Sequence, residues 1–236
     1  MSTIQLNDDA IAALLDPLTI AVAKAGAAIL AIDASEMGVS EKSDGSPVTR
    51  ADHAADRVIA EEIARLAPHI PVISEERFDP AAKPAGTTLF LVDPLDGTRE
   101  YGGGSGEYAV NLALIREGAP VLGIVAAPAR GLIWRGIVGV GAERLAFDPA
   151  RPEVLGKRVA IRTRKPPPGE CIATVSRSHM DARTRAFIAG RKSTREIASG
   201  SAIKFGLVAE GSADIYPRLG PTSEWDIAAG HALVVA

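Results

Sequence analysis

The chain has 236 residues, 47% of them apolar, 23% charged and only 4% aromatic, which excludes a disordered chain, a collagen and a coiled coil and calls for an aliphatic core. A formal net charge of −3 excludes a general electrostatic footprint for nucleic acid, so an anionic ligand must be held by local cations or metal ions. The single cysteine, Cys171, can form no intrachain disulfide and fits a reducing compartment.

Asp8 and Asp9 stand where a secretory leader would carry lysine or arginine. The most apolar stretch, 20–32, is interrupted by Lys24 and is short for a bilayer, so a cytoplasmic protein without membrane insertion is expected. Residues 8–33 read as a helix, with Ile11, Leu14, Leu15, Leu18 and Val22 at three- and four-residue steps. A turn zone at 41–47 precedes a second helix over 49–66, whose apolar face carries Ala55, Val58, Ile59, Ile63 and Leu66. Pro68 and Pro71 end it.

The period then changes. Runs rich in β-branched residues at 72–74, 88–92, 108–115, 121–126 and 132–140, bounded by Gly or Pro, read as strands. Residues 151–169, with prolines 166, 167 and 168, read as a stiff connector between two subdomains, 1–150 and 151–236. Beyond it come a strand at 172–176, helices at 182–190 and 202–211, a strand at 214–217 and a helix from Trp225. Helices, then consecutive strands, then alternation describe a layered α/β or α+β enzyme. The sequence stops at Ala236 inside an apolar helical pattern, so a missing natural end is expected.

The strongest chemical signal is LFLVDPLDGTREY, residues 89–101. A buried-type strand delivers Asp93; Pro94 removes a backbone N–H, so the Leu95 carbonyl can face a ligand; Asp96 follows, and Gly97 permits a tight turn into a helix near Thr98. Two carboxylates and a carbonyl at this spacing form a hard-oxygen set suited to Mg²⁺, and a new helix start suits phosphate. Alone, the segment is equally well explained as an acidic turn capping a helix. Ser74-Glu75-Glu76 closes the preceding strand, which should lie beside 88–92. Taken singly, Asp226 at the last helix start reads as a dipole-favoured acid, and Asp52 as a surface charge.

Together, SPVTRAD (46–52), ISEE (73–76), LVDPLDGT (91–98) and EWDIAAGHAL (224–233) resemble, in order, the motifs of the inositol monophosphatase superfamily of Mg²⁺-dependent phosphatases. The resemblance implies an α+β layered α/β/α/β/α sandwich of the inositol monophosphatase and fructose-1,6-bisphosphatase type, binding two or three Mg²⁺ ions. Glu75, Asp93, the Leu95 carbonyl, Asp96 and Asp226 would be metal ligands, with Glu75 also serving catalysis. Asp52 and Thr98 would orient and deprotonate the attacking water, and the Gly97 and Thr98 amides would hold the departing phosphate.

Within the superfamily, Arg99-Glu100-Tyr101, SRSH (176–179), GSAIKFGLVAEGSADIYPR (200–218) and GPTSEWD (220–226) resemble the 3'(2'),5'-bisphosphate nucleotidase branch. That likeness implies a phosphorylated nucleotide substrate, adenosine 3',5'-bisphosphate, contacted by Ser176, His179, Gly200, Ser201 and Lys204. Leu95, Asp96 and Asp226 would face the substrate too, and Arg218 is a weaker candidate. It also implies lithium sensitivity and removal of a sulfate-assimilation by-product, and leaves a homodimer open. Inositol phosphate hydrolysis is the alternative, and a non-catalytic nucleotide sensor the less favoured one. Zinc-ligand spacing, a nucleophile elbow and a P-loop are absent from the sequence.

Overall fold

The structure is a computed structural model that describes residues 6–32, 38, 40–41, 47–81, 86–178, 180–191 and 194–236. Helix α1 (Asp8–Leu30) begins where the Asn7 side chain accepts the Ala10 amide, and it buries Ile11, Leu18, Val22, Ala25 and Ile29. By length and composition it is long and apolar enough to cross a membrane, a property that the count over 20–32 alone did not register. Here that apolar surface is spent on the core, against α2 and the main sheet. Lys24 on the same helix pairs with Glu62.

Two short strands, β1 (Ser40–Glu41) and β2 (Pro47–Val48), pair antiparallel and lead into α2 (Arg50–Leu66). A capping box starts α2: Thr49 is the N-cap and Asp52 returns a hydrogen bond to the Thr49 amide. Next come β3 (Val72–Ser74), a single 3-10 turn over Glu75–Arg77, β4 (Thr88–Asp96) and the short α3 (Thr98–Gly102). Strands β5 (Ala109–Arg116), β6 (Ala119–Ala127), β7 (Leu132–Ile137), β8 (Gly141–Ala146) and β9 (Arg158–Ile161) complete one seven-stranded sheet in sequential order. Only β3 and β4 run parallel; the others are antiparallel.

The second sheet holds β10 (Cys171–Ser176) and β11 (Thr194–Ser199), paired in parallel around α4 (Ala182–Ala189). Helices α5 (Ile203–Ala209) and α6 (Glu224–Val235) close the described chain. Strand alternation sorts the core into layers. Phe90, Val92, Leu112, Leu114, Leu122 and Ile124 face α1 and α2, while Leu91, Ala113 and Val125 face Ala202, Ile203, Ala229 and Leu233 of the α5–α6 layer. Ile172 meets Val208 on the far side of α5, and Ala173 and Val175 meet Ile188 of α4. The order is therefore α, β, α, β, α. Close approach of α6 to the sheet needs Gly123, where a Cβ would fall 2.2 Å from the Ala229 carbonyl oxygen.

Three expectations are corrected and one strand is added. The run 132–140 is a strand and a turn, because Gly139 and Gly141 take positive φ and reverse the chain into β8. Residues 158–161, expected to belong to the connector, form the edge strand β9, whose side chains are mostly exposed. Strand β11 was unforeseen, its burial being irregular rather than alternating. The run 214–217 makes only an isolated bridge, Ala173 to Ile215.

Candidate active site

The site forms where β3 and β4 end. Their parallel register, Ser74 opposite Val92, sets the Glu75 turn beside Asp93, as the absence of an intervening helix predicts. The Asp93–Asp96 segment is not the turn that its composition implies. Strand β4 continues through it, with a register shift against β5 between Asp93 and Asp96. Pro94, lacking an N–H, sits inside that irregularity, and the Leu95 amide donates to Asp93 Oδ1 at 3.1 Å. The reversal comes one residue later, at Gly97 with φ 93°, a left-handed conformation that starts α3 at Thr98.

These elements, the β11–α5 loop and the start of α6 enclose a cleft of about 300 Å³. Glu75, Asp93, Leu95, Asp96, Gly97, Thr98, Ser176, Ser201, Lys204 and Asp226 all line it, and so does Arg218. Asp52 lies behind Thr98 rather than on the wall, and Gly200 lies one residue back from it. His179 falls outside the described residues.

Asp52 is no surface charge: it is 1% exposed. Its Oδ2 accepts from the Thr49 amide at 2.8 Å and from Thr49 Oγ1 at 2.5 Å. Its Oδ1 lies 3.2 Å from Thr98 Oγ1, which also sits 3.3 Å from the Leu95 carbonyl oxygen. One carboxylate therefore both caps α2 and aims at the threonine of the cleft. That double duty is why an N3 aspartate is buried here.

The floor of the cleft carries uncompensated negative charge. Burial first, then the charges of Asp96, Glu75 and Asp226, hold the Asp93 carboxyl well above the usual carboxylate range. Asp96 is pushed up to about 6 by burial and by Asp226, against the opposing charge of Lys204. Among the described residues no three metal-ligating side chains converge into a ready-formed cage. Two of the carboxylates are drawn instead to protein donors: Asp96 Oδ2 accepts the Ala202 amide at 2.5 Å, and Asp226 Oδ2 accepts Thr222 Oγ1 at 2.8 Å and the Ser223 amide at 3.0 Å.

Lys204, 2% exposed, is not the solvated lysine that a helical run permits. Its Nζ donates to the carbonyl oxygens of Ser201 at 2.5 Å and Ser199 at 3.3 Å, and lies 5.0 Å from the Tyr216 ring centroid. Burial brings its pKa down to about 8.

Three acidic side chains of the site were given no role by the sequence. Asp56, one helical turn after Asp52, accepts from Ser74 Oγ at 2.6 Å and Arg77 Nε at 2.8 Å, clamping both flanks of Glu75 to α2. Glu100 is buried and accepts from Ser178 Oγ. Glu107 is buried and accepts from Arg177, Arg130 and the Gly200 amide. The four-residue spacing of Asp52 and Asp56 was a usable signal; Glu107 meets Gly200 across 93 residues and left none.

The sequence profile of the inositol monophosphatase family matches residues 12–236. The chain belongs to that family. Among curated relatives, 3'(2'),5'-bisphosphate nucleotidase CysQ of Salmonella typhimurium is 42% identical over 225 residues, covering 90% of this chain and 83% of the relative. The Escherichia coli (strain K12) protein of the same name is 40% identical over 230 residues, 94% and 87% of the two chains. The solved structure of CysQ from Bacteroides thetaiotaomicron, a bacterial member of the inositol monophosphatase family, superposes with a TM-score of 0.72 at 33% identity, over 98% of this chain and 87% of that one. Inositol monophosphatase from Anabaena gives 0.72 at 25% identity, over 95% and 81%. The layered fold expected from the motifs is the fold of these structures.

Proposed function

We propose that this protein is a Mg²⁺-dependent phosphatase that hydrolyses the 3'-phosphate of adenosine 3',5'-bisphosphate, giving AMP and inorganic phosphate in the cytoplasm. The observation that carries this reading is the cleft itself: an acidic floor and a Thr98–Asp52 pair at one end, buried Lys204 at the other. The relatives of 40–42% identity named for this activity support the choice of substrate.

The donor set fits a hard divalent cation. Every candidate ligand is an oxygen, from Glu75, Asp93, the Leu95 carbonyl, Asp96 and Asp226, and the floor's mutual repulsion calls for positive charge. Bound Mg²⁺ would neutralise phosphoryl charge and activate water.

The chain's own residues do the rest. Thr98 Oγ1, oriented by Asp52 Oδ1, takes a proton from a water in the cleft as it passes its own to Asp52. Asp52 keeps its aim because Thr49 saturates its other oxygen. The Gly97 and Thr98 amides face the departing phosphate from the start of α3. Ser176, Ser201 and Lys204, with Arg218 beside them, would face the nucleoside and the retained phosphate, and Gly200 would support them from one residue behind the wall. In this reading the metal-holding residues belong mainly to 1–150 and the nucleotide wall to 151–236.

Phosphate release with Mg²⁺, compared at equal concentrations of adenosine 3',5'-bisphosphate and inositol 1-phosphate, tests it. A preference of at least about tenfold for the nucleotide is expected; a preference for the inositol ester would overturn the substrate assignment.

A further inference from the structure

The loop after β11 is the least relaxed piece of backbone in the cleft. Ser201 holds φ 56°, a left-handed conformation that is uncommon and strained for a non-glycine residue. The surroundings here are explicit. The amide before Ser201, that of Gly200, donates to Glu107 Oε2 at 2.9 Å. The amide after it, that of Ala202, donates to Asp96 Oδ2 at 2.5 Å. The carbonyl oxygens of Ser199 and Ser201 accept from Lys204 Nζ. The loop is pinned on both sides of one strained residue.

Of these pins only Glu107 lies outside the cleft. It is buried, and it is itself held by Arg177 Nε at 2.7 Å and Nη2 at 3.1 Å, and by Arg130 Nη2 at 2.9 Å. Gly200 packs so closely on this residue that a Cβ there would come within 2.4 Å of the Glu107 carbonyl oxygen. Arg177 and Ser178 follow β10, whereas Glu100 lies in α3 and Glu107 follows it, so these contacts tie the wall to the segment that carries Thr98.

We infer that Glu107 is a positioning residue for substrate selection: by accepting the Gly200 amide it holds Ser201 and Lys204 in the geometry that receives the nucleotide's non-reacting end. The inference rests on the proposed nucleotidase activity. Glu107 does not line the cleft and accepts from no candidate metal ligand, so its loss is expected to act on binding of the nucleotide and to spare the chemical step.

The test is steady-state kinetics on adenosine 3',5'-bisphosphate with saturating Mg²⁺, for the full chain and its Glu107→Gln and Glu107→Ala variants, with AMP binding measured by calorimetry. Glu107→Ala is expected to raise KM about tenfold or more and weaken AMP to match, with kcat within about threefold, the range typical of losing a supporting hydrogen-bond partner. Glu107→Gln retains an oxygen for the Gly200 amide but loses the charge on Arg177, so a smaller rise, about threefold, is expected. A KM and AMP affinity within twofold of the parent in a folded Glu107→Ala protein would overturn the inference, and so would a fall in kcat at unchanged KM. If Glu107→Ala does not fold, Glu107→Gln decides on the same terms. A parent protein that hydrolyses inositol 1-phosphate and not the nucleotide would overturn the proposed activity, and this inference with it, before any variant is compared.

Discussion

The floor and the wall of the cleft treat charge in opposite ways. On the wall, each buried charge has its partner: Glu107 has two arginines and an amide, and Lys204 has two carbonyls and a ring. Arg177 accordingly holds the Glu107 carboxyl below its ordinary range. On the floor, Asp93 and Asp96 face Glu75 and Asp226, and their carboxyls rise instead. A wall whose buried charges are already hydrogen-bonded can be shaped for fit. A floor left negative stores an unfavourable energy that a bound cation relieves, which couples the site's order to metal.

That contrast breaks most severely at Asp93. Asp93→Asn is expected to cut Mg²⁺-dependent phosphate release by about a thousandfold, about 4 kcal/mol of transition-state stabilisation, while the metal-free protein melts no lower than the parent because a neutral amide replaces a carboxyl whose charged form is disfavoured there. Activity retained at the parental level would remove Asp93 from the metal set. Next in size, Thr98→Ala and Asp52→Asn should each lower kcat by about 10² or more, the scale of a lost general base. Only Asp52→Asn should also lower the melting temperature, since it weakens the α2 cap by about 1 kcal/mol.

The floor also predicts an unusual pH dependence for the metal-free protein. Asp96 titrates near 6 when folded and near 3.8 when unfolded, so between those values the native state binds more protons. Stability must therefore rise as pH falls from 7 to 5, by about 1 kcal/mol from this group. Urea unfolding at pH 7 and pH 5 reads it, and Mg²⁺ should abolish the gain. A metal-free protein that is less stable at pH 5 would contradict the charged floor. The smallest effect is expected at Asp56: Asp56→Ala should weaken Mg²⁺ binding about tenfold through the loosened Glu75 turn, with kcat at saturating Mg²⁺ nearly unchanged.

The same division explains what could be read from the chain alone. The floor is built from short, contiguous segments, and Glu75, Asp93, Asp96, Thr98 and Asp226 stand where their motifs placed them around one cleft. The helices were legible too, because α1 and α2 carry regular apolar stripes. The wall is assembled from distant pieces. Glu107 reaches Gly200, and Glu100 reaches Ser178 across 78 residues, and no local pattern encodes either meeting. Strand β9 failed for a related reason: it is an edge strand with mostly exposed side chains, so the alternation that marks a half-buried strand is missing. The Asp93–Asp96 segment misled in the other direction, since Pro94 and Gly97 look like one turn, but the pairing with β5 carries the strand through to Asp96.

The central claim is that this cleft removes one particular phosphate. Phosphorus NMR of adenosine 3',5'-bisphosphate incubated with the protein and Mg²⁺ follows both phosphates at once. The account predicts that the 3'-phosphate signal is replaced by inorganic phosphate in equal amount while the 5'-phosphate persists as AMP. Loss of the 5'-phosphate first, or two unchanged signals in a protein that binds Mg²⁺, would contradict it.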